Sequence, residues 1–386
     1  MRILITNTAL DKFAGTECYV FDVCRALAAR GHEVIAFSPR LGRIASAMRE
    51  AGLRVTDDLA AVPWSPDVIH GHHEWETTLA AVRWPRAGLI SFCHGAQPWQ
   101  EAPCRAPWVH RFVVVGEPCR ERLVGRDGID ASEVELLLNF VDLERFTQRM
   151  TPAVPPRRVL VFSNHIKKGR GLETIAAACA AEKLELEIIG SGAGQVAVDP
   201  REPLSRADIV LAQGRCALEA MASGCAVVLC GAERIGAFVA PSDFAKLREA
   251  NFGFTRLAAD LTVDTVRQRL RAVNSGDAAD VTRMVREQAG LDQAVSRLVA
   301  LYDEARLAAL ANPPLMEAVA SFAADRLRLA TEPWKLGRAA QALHGQSIEW
   351  SASDFPPPAE TELWLRKAAK HLQSVPARDS NKPSTR

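Results

Sequence analysis

Short, continuous apolar runs recur along the first 150 residues, and between them apolar positions return every three or four residues. RILIT (2–6), EVIAF (33–37), DVIH (67–70), LISFC (89–93), FVVV (112–115) and VELLL (134–138) are the runs. Their continuity predicts strands buried on both faces rather than half-solvated ones. TECYVFDVCRALAARG (16–31) carries helical spacing between the first two. Strand and helix in alternation predict a parallel sheet covered by helices on both faces.

TPAVPP (151–156) places three prolines in six residues, which neither a helix nor a central strand tolerates, so a domain boundary is expected there. The alternation restarts with RVLVFS (158–163), GLETIAAACAAEK (171–183), LEIIG (186–190), DIVLA (208–212), GRCALEAMASG (214–224) and AVVLC (226–230). The expected architecture is α/β: two tandem Rossmann-like, doubly wound domains, 1–150 and 151–310, facing a cleft at the carboxyl ends of their strands. From about residue 241 the pattern is helical, ending in LDQAVSRLVALYDEARLAAL (291–310). An additional helical region is expected over 311–373 and a disordered tail over 374–386.

Charge changes this picture only by exclusion. Lys and Arg number 47 against 46 Asp and Glu, so no global field calls for nucleic acid. Any basic site is local. The nine cysteines include no Cys-x-x-Cys pair. MRILITNT enters a strand pattern directly, and no run reaches the roughly 18 apolar residues of a membrane span. A soluble, cytoplasmic protein is the expectation.

Five stretches offer chemistry. In ALDKFAGTECY, Gly15 permits close backbone approach and Thr16 is able to cap the following helix. DVIHGHHEWE groups three histidines, but their spacing matches no zinc motif, and they are expected to face the cleft or solvent. His94 ends the strand in FCHGAQPW. In SNHIKKGRGLETI, Asn164, Lys167, Lys168 and Gly169 precede a helix, where a lysine offsets phosphate charge. In QGRCALEAMASG, the amides of Gly214 to Ala217, including that of Cys216, are the donors of a helix N-terminus. Arg215 adds a fork for two phosphate oxygens, and Glu219 lies one turn in, within reach of vicinal hydroxyls.

Taken in order, these stretches resemble a GT-B glycosyltransferase, closest to the retaining family-4 type. AGTECYVFDVCRALAARGHEV, DVIHGHH, SFCHG, VVVGEPCRERL, LLNFVDLERF, KKGRGLETI, ADIVLAQGRCALEAMASGCAVV and VSRLVALYDEA follow the family's sequence of motifs across residues 1 to about 310. The resemblance implies transfer from a nucleotide-diphosphate sugar donor to a sugar or glycoconjugate acceptor, with no cofactor and no required metal. It implies catalytic roles for His94, Lys168 and Arg215. Lys168 and Arg215 would meet the diphosphate, Glu219 the ribose, His94 the transferred sugar and Gly15 the phosphates or acceptor; Asn164, Gly169, Gly214 and Cys216 complete the donor side.

The departures are specific. Leu211 stands where the family has a second glutamate, Asn164 where it has an arginine, Ala14 where it has a glycine, and Phe140 where a glycine is usual. A nucleotide-sugar epimerase of the same fold and a non-catalytic scaffold therefore remain alternatives. Beyond 311, packing, self-association and peripheral membrane contact stay open. ELWLRKAAKHL (362–372) sets Arg and Lys beside apolar residues but is too short and mixed for an anchor.

Overall fold

A computed structural model describes residues 1–97, 101–149, 154–195 and 199–330, without the side chains of 327–330. The first alternation becomes a seven-stranded sheet: β1 (Arg2–Thr6), β2 (Glu33–Phe37), β3 (Arg54–Thr56), β4 (Val68–His72), β5 (Gly88–Cys93), β6 (Arg111–Val114) and β7 (Val134–Leu136). Their order is β3-β2-β1-β4-β5-β6-β7, and every neighbouring pair is parallel. Helices α1 (Gly15–Ala29), α2 (Arg43–Glu50), α3 (Glu74–Arg83) and α4 (Glu117–Glu121) lie between strands. Strand order reverses between β1 and β4, which opens a crevice at their carboxyl ends.

The second sheet holds β8 (Arg158–Phe162), β9 (Glu185–Ile189), β10 (Ile209–Ala212), β11 (Ala226–Cys230), β12 (Arg234–Phe238) and β13 (Ala259–Asp260), in the order β13-β12-β11-β10-β8-β9. β12 and β13 add in antiparallel sense. With them come α5 (Arg170–Ala181), α6 (Arg201–Arg206), α7 (Gly214–Ala222), α8 (Phe244–Glu249), α9 (Val263–Arg271) and α10 (Ser275–Gln288). The two tandem doubly wound domains expected from the pattern are thus present. The sequence pattern did not disclose β3, β12 or β13. Two of these span three residues or fewer, and all three sit at or near sheet edges, where no long apolar run is required.

After α10 the chain returns to the first domain. In α11 (Leu291–Ala311), Leu291, Val295, Leu298, Leu301, Tyr302 and Ala305 join the core built on Ile3, Ile5, Val20, Val23 and Phe92. The two crossings between the sheets run side by side. Val141 donates its N–H to the Ala289 carbonyl at 2.8 Å and accepts from the Leu291 N–H at 2.9 Å. Arg25 of α1 pairs with Asp142 at the same crossing. In α12 (Met316–Ala330), Phe322 packs edge-on against Trp108, and Arg326 pairs with Glu74 of α3. The remaining helical expectation, from 331 to 373, and the tail over 374–386 lie outside the described residues. Among those described, no single helix is long and apolar enough to cross a membrane.

α11 approaches β5 so closely that only glycine fits beneath it. A Cβ on Gly88 would stand 2.6 Å from the Ala305 carbonyl carbon and from the Arg306 nitrogen, both backbone atoms. Gly88→Ala is expected to cost about 1–3 kcal/mol by overpacking, read as a lower denaturation midpoint at unchanged slope. An unchanged midpoint would mean that α11 does not seat on β5.

Candidate functional site

The carboxyl ends of both sheets carry the residues singled out above. At the end of β8, Asn164 donates from Nδ2 to the Phe13 carbonyl of the first domain at 3.3 Å, and its Oδ1 accepts from the Ser191 N–H at 2.9 Å. Gly190 makes this packing feasible. Its φ is +148°, and a Cβ there would sit 1.9 Å from the Ser163 carbonyl oxygen. Gly169, with φ +123°, is the N-cap of α5, and Lys168 beside it is exposed. A Cβ on Gly194 would lie 3.8 Å from Lys168 Nζ, so the lysine reaches over the loop that follows β9. Asn164 therefore joins three loops, and Lys168 stays available to solvent and ligand.

At the end of β10 the chain passes through Gln213 alone into α7. Leu211 is not on a loop. It lies inside β10, fully buried, paired with Val161 and Val228, so the position contributes packing and no contact to a ligand. Gly214 takes φ +58° and donates its N–H to the Phe252 carbonyl at 2.9 Å. Of the amides expected to be free, that of Gly214 is thereby occupied. Asn251 and Phe252 hold φ of 54° and 49°, a sparsely populated region for residues with side chains. Asn251 Oδ1 accepts from Asn139 Nδ2 at 2.9 Å.

Arg215 and Glu219 meet each other. Arg215 Nε donates to Glu219 Oε1 at 2.8 Å, and a terminal nitrogen of the same guanidinium donates to Asp22 of α1. Side-chain exposure is 11% for Arg215, 9% for Glu219 and 3% for Asp22, so the group is nearly dry. Burial works against the arginine's charge, but Asp22 and Glu219 more than offset it and raise its pKa. Burial lifts Glu219 above the ordinary carboxylate value, with Arg215 opposing. Phe140, where the family has glycine, lies with its ring centroid 5.8 Å from the guanidinium carbon. Burial likewise pushes the Cys216 thiol well up, so it is no thiolate.

The first domain offers an uncharged aromatic wall. His70, His72 and His94 stack in sequence, with centroids 4.6 Å apart at each step, and Tyr19 stands edge-on to His94 at 4.7 Å. His70 and His72 do not face cleft or solvent as expected; both are fully buried, and His70 Nδ1 bonds the Tyr302 hydroxyl at 2.5 Å. Burial lowers all three, His94 to about 4, so the stack is neutral at pH 7. The Nε2 of His94 and both ring nitrogens of His72 are buried without a partner among the described residues.

The exception to this lowering is His73. Burial alone pushes it down, yet Glu101 outweighs that and holds it above its usual value, with Nε2 3.7 Å from Glu101 Oε1. Glu101 is pulled down to about 2: burial opposes, but His73 prevails, and the His94 N–H donates to its other oxygen at 2.9 Å. Among the described residues no three His, Cys, Asp or Glu converge as a metal site.

At the start of α1, Thr16 does not cap. The N-cap is Ala14, and the Thr16 hydroxyl donates to Glu17 at 3.1 Å. Gly15 is exposed, with open space around it. The buried Glu17 carboxylate already complements this helix end, which suits the turn to hydroxyls better than to a second anion.

Sequence reasoning missed Asp22, Glu101 and Tyr19. Asp22 leaves one trace, a carboxylate inside the apolar stripe of α1 beside Tyr19, Val23 and Cys24. Glu101 leaves none.

Residues 13–145 match the model of Glycosyltransferase Family 4. No curated protein matches the chain. Among solved structures, HepE of Anabaena, crystallised with UDP-glucose, is 13% identical, covers 78% of this chain and 99% of its own, and has a TM-score of 0.56. A glycosyltransferase from Rickettsia africae is 14% identical over 79% and 98%, with a TM-score of 0.50. Sucrose-phosphate synthase from Thermosynechococcus elongatus is 13% identical over 78% and 98%, also at 0.50. The fold is that of the GT-B glycosyltransferases.

The neutral stack has a consequence for stability. A histidine whose folded pKa lies below its unfolded value binds fewer protons folded than unfolded between the two, so stability falls as pH drops through that window. For His94 the window runs from 6.5 down to about 4. His94→Phe is expected to weaken the loss of stability between pH 6.5 and 4.5 by about 1 kcal/mol per pH unit, measured by urea denaturation. Parallel pH curves for the two proteins would show that His94 is not held neutral.

Proposed function

We propose that this chain, a glycosyltransferase by its fold and by the family domain in its first half, moves a sugar from a nucleotide-diphosphate donor to a hydroxyl of a sugar or glycoconjugate acceptor. The observation that carries the reading is α7. A strand end, a glycine start, a helix N-terminus, a guanidinium and a carboxylate one turn on stand together at the mouth of a cleft between two doubly wound sheets. Such an arrangement supports reading the segment as a site for a diphosphate and a ribose. HepE, of the same fold, was crystallised with UDP-glucose, which supports a nucleotide sugar as the donor class.

Charge develops on the departing diphosphate as the glycosidic bond breaks. Exposed Lys168 and Arg215, once turned to the ligand, would stabilise it, with the amides of Arg215 and Cys216. Cationic side chains aimed at the leaving group are what a metal-independent transfer needs. His94, neutral at pH 7, would serve as a hydrogen-bonding partner for a sugar hydroxyl through its unpartnered Nε2. The retaining outcome, a place in polysaccharide or glycoconjugate assembly and a cytoplasmic location rest on the resemblance and the sequence. One observation favours a non-catalytic scaffold instead: Arg215 and Glu219 satisfy each other and Asp22.

Melting temperatures with UDP, ADP, GDP and dTDP, in the presence of a chelator, separate the readings. A ligand that binds only the folded state stabilises it by about 2.7 kcal/mol at a hundredfold excess over its Kd. One nucleotide is expected to raise the wild-type midpoint, with the shift lost in Glu219→Ala and reduced in Lys168→Ala. The matching nucleotide sugars are then expected to support transfer, with kcat about a hundredfold lower in Lys168→Ala. No shift with any of the four would leave the scaffold.

A further inference from the structure

The cation of the donor segment is already spoken for. Arg215 donates to Glu219 from its own helix and to Asp22 from α1, 193 residues earlier in the chain and in the other domain. One positive charge thus faces two carboxylates, and Phe140 closes another side. The three side chains are nearly dry, so their charges are poorly screened. A group of net charge −1 in that setting repels an incoming diphosphate. A ribose meanwhile needs the Glu219 carboxylate, whose Oε1 Arg215 occupies.

Two competitions follow. Ribose and Arg215 compete for Glu219; diphosphate and Asp22 compete for Arg215. Asp22 is the partner that the donor chemistry does not call for. A buried carboxylate in the apolar stripe of a helix is costly on its own, and nothing but Arg215 is bonded to its side chain among the interactions described. Its contact with Arg215 ties the two domains across the cleft.

We propose that Asp22 is a positioning residue that latches the empty donor site: from the first domain it holds Arg215 against Glu219, and nucleotide binding requires this contact to break. The inference rests on the donor-site reading above. Apparent affinity for the nucleotide is then the intrinsic affinity reduced by the fraction of molecules unlatched, and occupancy of the donor site is coupled to the spacing of the domains. The latch also keeps the guanidinium from binding stray anions between turnovers.

Isothermal titration of the full-length chain with UDP, ADP, GDP and dTDP tests this on wild type, Asp22→Asn, Asp22→Glu and Glu219→Gln. Asp22→Asn removes the competing charge and its repulsion of the diphosphate, and is expected to tighten binding about tenfold. Asp22→Glu restores the charge and is expected to return the affinity to near the wild-type value, which a merely structural role would not produce. Glu219→Gln is expected to weaken binding. If Glu219→Gln weakens binding and folded Asp22→Asn binds no tighter than wild type, the latch is overturned and the donor site stands. If Glu219→Gln binds as well as wild type, the donor reading falls and the latch with it.

Hydrogen exchange on the wild type covers the case in which Asp22→Asn does not fold. Saturating nucleotide is expected to speed exchange in α1 around Asp22 while slowing it at the start of α7. Slower exchange at both would overturn the latch.

Discussion

A single guanidinium organises the cleft. Arg215 lies where two sheets face each other, and both domains answer its charge, one with Asp22 and the other with Glu219. Burying a cation is tolerable only when its hydrogen bonds and its charge are met. The surroundings reflect this demand: Phe140 covers the guanidinium, Tyr19 and the histidine stack fill the first-domain side, and Gly214 gives up its amide to Phe252 so that α7 starts against the strained turn at Asn251. The segment proposed to carry the donor chemistry is therefore also one that joins the domains.

The two walls of the cleft differ in kind. On the second-domain side, charges and amides are concentrated in α7 and at Lys168. On the first-domain side, His94 is kept neutral by burial and backed by the sealed His70 and His72, and His73, whose pKa Glu101 raises, pairs with that carboxylate. A side that presents the neutral His94 and little net charge suits carbohydrate hydroxyls; a side with cations and helix amides suits a diphosphate.

The domain arrangement depends on the second crossing as much as on the first. α11 begins beside Val141, where the first crossing leaves, and packs its apolar face into the first core down to the close contact with Gly88. Two adjacent strands of backbone, tied at Val141, connect bodies that otherwise meet through side chains such as Asn139, Asn164 and Arg215.

The sequence by itself determined the two parallel sheets, because strands buried on both faces must be continuous apolar runs, and each such run proved to be a strand. It also put Arg215 and Glu219 one helical turn apart and Lys168 beside a glycine, since those relations are local. It did not reveal the short strands β3, β12 and β13, which sheet neighbours stabilise more than their own residues do. Nor did it show that His70 and His72 are sealed, or that α11 crosses back. Above all, only the tertiary structure decided what Arg215 binds. Local spacing offered Glu219 as a neighbour, but the second carboxylate comes from a helix 193 residues away, and no periodicity in a sequence records which charges two separate domains bring together.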